Sequence, residues 1–170
     1  VEFQGGDPLI KYDLVKFAIE YITEKNKEHN RSIRFVVTTT LHQLTSEMCL
    51  FFKEHQVVLS TSIDGLEDLH NKNRPIANRD AYERTIEGLE LARQELGQDS
   101  VSALMTTTRK SLNYPSEIVD AYVQLGFKDI FIRGLSDYGF AKKNSKRLAP
   151  THAEFLDFYE KALERVIYWN

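Results

Sequence analysis

Val57-Val58-Leu59-Ser60-Thr61-Ser62-Ile63-Asp64-Gly65 is the stretch that decides the fold. It opens on a continuous apolar, β-branched run with no polar alternation, the pattern of a strand covered on both faces in a parallel sheet. It closes on small polar residues and an Asp-Gly turn. The same sequence of events recurs on both sides. Val1–Phe3 leads into Gly5-Gly6-Asp7-Pro8, and Ile33–Val37 into Thr38-Thr39-Thr40. Val101–Met105 leads into Thr106-Thr107-Thr108, and Asp129–Ile132 into Arg133-Gly134-Leu135-Ser136. Five strands, each ending in a polar cluster, predict an α/β sheet with its chemistry at the carboxyl ends of the strands.

Segments of helical period fill the intervals, giving the alternating order of a parallel sheet with crossover helices. The first spans Lys11–His29, and Leu14, Phe17, Ala18, Tyr21 and Ile22 are expected to form its buried face. A second spans Ser46–His55 behind Thr45 as N-cap, and a third runs over Arg79–Leu96 to Gly97. Pro115 and Gly126 bracket Ser116–Leu125, and a last helix runs from Thr151 to Tyr168. Ser136–Ala149, polar with four basic residues, reads as a long loop of the kind that often carries function.

With 170 residues, 42% of them hydrophobic, the chain is long enough for one domain, residues 1–170. Lys and Arg number 22 against 25 Asp and Glu, a net charge of -3, so no overall basic field draws nucleic acid or an anionic membrane. Cys49 is the only cysteine, which excludes an intrachain disulfide and fits a reducing cytoplasm. No apolar stretch reaches the roughly 18 residues of a spanning helix. The chain opens directly on strand-like sequence, with neither initiator Met nor signal peptide, and stops on Tyr168-Trp169-Asn170. A piece cut from a longer protein is therefore expected. Val1–Phe3 would then be an open sheet edge that either frays or pairs two copies as a C2 homodimer.

Gly5-Gly6 lets backbone approach a ligand closely, Asp7 adds a carboxylate and Pro8 stiffens the exit; on its own this is ordinary turn chemistry. Taken with Ser62-Ile63-Asp64-Gly65 and the downstream His70 and Arg74, it resembles the radical S-adenosylmethionine (SAM) enzymes. The branch concerned contains the anaerobic sulfatase-maturating enzymes and related peptide maturases. In that family a Gly-Gly-Glu/Asp-Pro turn ends strand 2, and a Ser-x-Asp-Gly segment with a later His and Arg follows strand 4. The strings Leu104–Leu112 and Ile130–Ala141 look most like maturases encoded with His-Xaa-Ser repeat peptides.

The resemblance implies an incomplete (β/α)6 barrel holding strands 2 to 6. In the parent protein a [4Fe–4S] cluster would cleave SAM to a 5′-deoxyadenosyl radical, and the radical would abstract hydrogen from a peptide or protein side chain. By position, Gly5, Gly6 and Asp7 match the turn that binds the SAM amino group, while Ser62 and Arg74 match residues at its carboxylate. Thr39, Thr107 and Arg133, at strand ends, are candidates for lining the substrate site. The family's Cys-x3-Cys-x2-Cys cluster loop follows strand 1 and is absent, so this chain holds no metal ligands and is expected to be inactive alone. Two other readings stand beside this one. One is an acid–base hydrolase or lyase working through Asp7, Asp64 and His70; the other is a non-catalytic binding module on the same barrel.

Overall fold

The computed structural model describes the backbone of residues 1–135 and 139–170, and their side chains except at 139–141. Strands β1 (Glu2–Phe3), β2 (Val36–Thr39), β3 (Val58–Ser62), β4 (Val101–Thr107) and β5 (Ile130–Gly134) follow one another along the chain. Between and after them lie α1 (Tyr12–His29), α2 (Ser46–Glu54), α3 (Glu67–Asn73), α4 (Ala81–Leu96), α5 (Pro115–Gln124), α6 (Gly139–Leu148) and α7 (His152–Trp169). The predicted order of strands and helices is present, and every described strand pairing is parallel. The chain divides into two compact units, Val1–Ser62 with Arg84–Ser102, and Ile63–Glu83 with Ala103–Asn170.

In the first unit β1 pairs with β2 (Glu2 opposite Val36) and β2 with β3 (Thr38 opposite Ser60, Thr39 opposite Thr61). On the far side of β3, the Leu59 N–H donates to Ser100 O at 3.3 Å and the Ser102 hydroxyl to Leu59 O at 3.4 Å. Strand side chains alternate between faces. Val37, Thr39, Leu59 and Thr61 share one face, and all are buried. Ile19 of α1, Cys49 and Phe52 of α2, and Leu89 and Ala92 of α4 are buried with them. Thr38, Ser60 and Ser62 form a polar row on the opposite face.

The second unit pairs β4 with β5, Thr106 lying opposite Arg133 and Thr107 opposite Gly134. Ala103, Met105 and Thr107 are fully buried, as are Ile118, Val119 and Tyr122 of α5. Phe158 and Ala162 give α7 its buried stripe. Arg165 of α7 forks onto Asp120 of α5 at 2.7 and 2.9 Å, and the Trp169 indole N–H donates to the same carboxylate. Capping follows the sequence signals. Thr45 accepts from the Met48 N–H, Gly97 turns α4 off at φ +104°, and Thr151 with Glu154 forms a reciprocal capping box.

Three expectations change. On α1, Val15 and Ile19 are buried, whereas Leu14, Phe17 and Tyr21 are more than half exposed. The helix carries two apolar stripes, and the more aromatic one faces out. Of the expected loop Ser136–Ala149, Gly139–Leu148 is helix α6, while 136–138 lie outside the described residues. His70, for which no element was expected, lies on the two-turn helix Glu67–Asn73, which buries Leu69 and His70.

Candidate functional site

The Gly5-Gly6 turn follows β1 with left-handed φ values of +94° and +45°. Nothing lies within 4 Å of where a Cβ would stand on either residue, so backbone conformation, not crowding, requires glycine here. Asp7 holds the turn in place. One of its carboxylate oxygens accepts from the Leu9 N–H (3.1 Å) and the Thr39 hydroxyl (2.7 Å). The other accepts from the Thr40 N–H (2.9 Å) and the Thr40 hydroxyl. A carboxylate has about four acceptor positions, and all are taken. Asp7 therefore braces the turn against the end of β2, which leaves its carboxylate no acceptor position for an incoming cation.

The brace continues into the core. The Thr39 hydroxyl accepts from the Leu41 N–H at 3.0 Å, and Leu41, buried at 1% exposure, sits in the left-handed region at φ +66°. Leu41 in turn fills the space over Gly88 of α4, where a Cβ would come within 2.6 Å of the Leu41 Cβ. Thr39, 2% exposed, thus lies on the helix-covered face of the sheet. Ser62 ends β3 on the other face, half-buried, in the row begun by Thr38 and Ser60.

In the second unit the residues after Ser62 are held from several directions. Asp64, 1% exposed, accepts from Arg74 Nε and Nη2, each at 3.0 Å. Its own N–H donates to His70 Nδ1 at 3.2 Å, which places the imidazole proton on Nε2. The Tyr122 hydroxyl donates to Ile63 O at 2.6 Å. Burial, with the Asp64 charge adding to it, pushes the Tyr122 phenol well above its ordinary range. Gly65 sits at φ +82°, where a Cβ would be 3.1 Å from Ile118. Arg74, expected at a ligand carboxylate, thus has its fork on Asp64; Nη1 lies outside that pair. His70 is fully buried with its ring edge-on to Tyr82.

The strand-end candidates differ in placement. Thr107 is fully buried, and its hydroxyl has no partner among the described residues. Arg133 is half-buried on the face shared with Thr106, and its Nε is also buried without a partner. Sequence reasoning passed over Thr40 and Tyr122, because a third threonine in a row and a helical tyrosine carry no local signal of what they hold.

An iron–sulfur cluster does not fit the residues present. Cys49 is fully buried, and burial, with Glu95 adding to it, pushes its thiol up to about 11, away from the thiolate a cluster needs. Among the described residues no group of three or more His, Cys, Asp or Glu could hold a metal ion, and no helix is long and apolar enough to cross a membrane.

Comparison with known proteins agrees with the fold. Native anSMEcpe with bound AdoMet superposes with a TM-score of 0.77 at 16% identity, covering 96% of this chain and 44% of that one. The same protein with AdoMet and Kp18Cys peptide gives 0.80 at 17% identity, covering 96% and 45%. These likenesses show the fold, that of an incomplete radical SAM barrel. An uncharacterized protein of Methanothermobacter thermautotrophicus is 29% identical over 126 residues, 73% of this chain and 45% of its own length. One from Methanocaldococcus jannaschii is 25% identical over 169 residues, 99% and 56%. The cysteine-type anaerobic sulfatase-maturating enzyme of Clostridium novyi is 30% identical over 78 residues, 45% and 21%. The chain spans about half the length of the two archaeal relatives. The sequence model of the Radical SAM superfamily matches residues 1–132, and the chain belongs to that superfamily.

Proposed function

We propose that this chain is the part of a radical SAM enzyme that receives the methionine end of SAM, in a protein that modifies a peptide or protein side chain. The observation that carries the reading is the open Gly5-Gly6 turn clamped to β2 through Asp7. With the Asp7 carboxylate filled, the SAM ammonium is received by turn carbonyls, which a bound cation favours as acceptors. By their position in the family pattern Ser62 and Arg74 are assigned to the SAM carboxylate, and the Arg74 fork keeps the Asp64 loop in place. Thr106 and Arg133 are the substrate-side candidates on β4 and β5, with the unpartnered Arg133 Nε offered to a peptide carbonyl or carboxylate. Thr39 acts behind the sheet as a support, while Thr107 is buried with its hydroxyl unpartnered among the described residues. A peptide as substrate draws support from the peptide-bound anSMEcpe structures. The cluster ligands belong to a part of the protein outside these residues. For these residues in isolation, two copies pairing through β1 is a further proposal, which light scattering tests.

The acid–base reading loses its groups. Asp7 is saturated, Asp64 is forked by Arg74, and His70 Nδ1 is occupied by a backbone N–H.

Titration calorimetry of SAM into the full-length protein tests the proposal. Gly5→Ala forces a Cβ into left-handed backbone, a strain of about 1–2 kcal/mol without any clash. It should weaken SAM binding about tenfold, with Ser62→Ala weakening it less. Wild-type affinity in both variants would remove the turn and Ser62 from the SAM site.

A further inference from the structure

Seven exposed cations stand on three segments of the second unit: Lys72 of α3, Arg109 and Lys110 after β4, and Lys142, Lys143, Lys146 and Arg147 of α6. Two hydrogen bonds tie the segments together. The Arg109 N–H donates to Leu148 O at 2.9 Å, and Lys110 Nζ donates to Lys72 O at 3.1 Å. On α6 the four cations fall at i, i+1, i+4 and i+5, which confines them to one side of the helix within an arc of about 140°. Residues 139–150 contain no Asp or Glu. Arg109 has Glu154 at 3.4 Å, and Lys72 has Asp68 at 3.6 Å. Lys110, Lys142, Lys143, Lys146 and Arg147 form no ion pair with a described residue.

This concentration runs against the rest of the chain. Taking the seven from the total of 22 Lys and Arg leaves 15, to be set against 25 Asp and Glu. Six of the seven cations also follow β4 or β5, and Lys72 follows β3, at the strand ends where α/β folds do their chemistry.

We infer that this rim is a docking surface for an acidic segment of the peptide substrate, guiding it toward the carboxyl ends of β4 and β5. The inference rests on the proposed peptide-modifying function. Like charges left unpaired on one helix face favour a polyanion, and steering by such a field acts before any close contact forms. A peptide fits better than nucleic acid, because the surplus of acidic groups elsewhere on the chain repels an extended phosphate backbone while a short acidic segment meets only the rim.

The test uses the full-length protein and fluorescence anisotropy with three labelled probes: a peptide carrying a run of Glu, the same peptide with Gln in place of Glu, and a single-stranded RNA of equal charge. The Glu peptide should bind more tightly than the Gln peptide at low salt, and high salt should erase the difference. The double variant Lys142→Glu/Lys146→Glu should weaken Glu-peptide binding roughly tenfold, each reversal costing a surface charge contact. SAM affinity, measured separately, should not change. Equal binding of the Glu and Gln peptides, or a double variant that binds like wild type, would overturn the assignment. Tighter binding of the RNA would overturn it in favour of a nucleic-acid partner. Because no probe needs SAM, failure of the SAM site and failure of the rim appear in different measurements.

Discussion

Removing the Arg74 guanidinium should destabilise the protein through the charge it leaves behind. The Asp64 side chain is 2% exposed and that of Arg74 is 25% exposed, so the pair is drawn largely out of water. With two contacts at 3.0 Å, the charge centres lie about 4 Å apart, which at an effective dielectric of 20 corresponds to about 4 kcal/mol. Breaking buried pairs from one side costs about 3–5 kcal/mol, a large part of the roughly 5–15 kcal/mol that holds a domain folded. Arg74→Ala should therefore lower the urea midpoint by an amount worth about 3–5 kcal/mol at unchanged slope. The double variant Asp64→Ala/Arg74→Ala should lose less than the two single variants summed, since it leaves no orphan charge. An Arg74→Ala loss below about 1 kcal/mol, or strict additivity in the cycle, would mean that Asp64 does not depend on Arg74 for its charge balance and would return Arg74 to a purely ligand-facing role.

Tyr122→Phe removes a 2.6 Å donor from the buried Ile63 carbonyl and should cost about 1–3 kcal/mol in the same denaturation assay. Asp7→Asn puts an amide NH2 where donors already converge, so hydrogen exchange at Leu9 and Thr40 should accelerate markedly while exchange in α7 stays as it was. Cys49, whose thiol burial holds up to about 11, should resist alkylation at pH 8 in the native protein and react at once in urea. Because that value is raised, Cys49 supports the fold fully below about pH 9 and loses the effect as pH climbs toward 11, so Cys49→Ala should flatten stability across that window.

The strands and their order were legible because a covered parallel strand is apolar throughout, and five such runs ending in polar clusters allow little else. The helix faces were less so. On α1, Leu14, Phe17 and Tyr21 satisfy the helical period as well as Val15 and Ile19 do, and periodicity does not say which stripe meets the sheet. Asp64 reads as ordinary Asp-Gly turn chemistry, and a family motif places Arg74, but neither tells that the two residues, ten apart, would neutralise each other. The three consecutive threonines at the end of β2 hid three separate tasks, with Thr38 on Glu2, Thr39 bridging Asp7 and Leu41, and Thr40 closing on Asp7. Sequence alone marks such residues as polar; strand parity decides which side of the sheet each serves.

The contact between Leu41 and Gly88 bears on how this protein can change over generations. Leu41, in left-handed backbone, packs where α4 carries no side chain at Gly88, and an alanine there would place its Cβ 2.6 Å from Leu41. Neither position can drift alone. Across an alignment the two should behave as one inherited character, so that lineages with a side chain at 88 carry a smaller or differently turned residue at 41. Through the Leu41–Thr39–Asp7 bonds such a paired replacement would also reset the Gly5-Gly6 turn, which makes a helix glycine remote in sequence an ancestral marker of the turn's geometry.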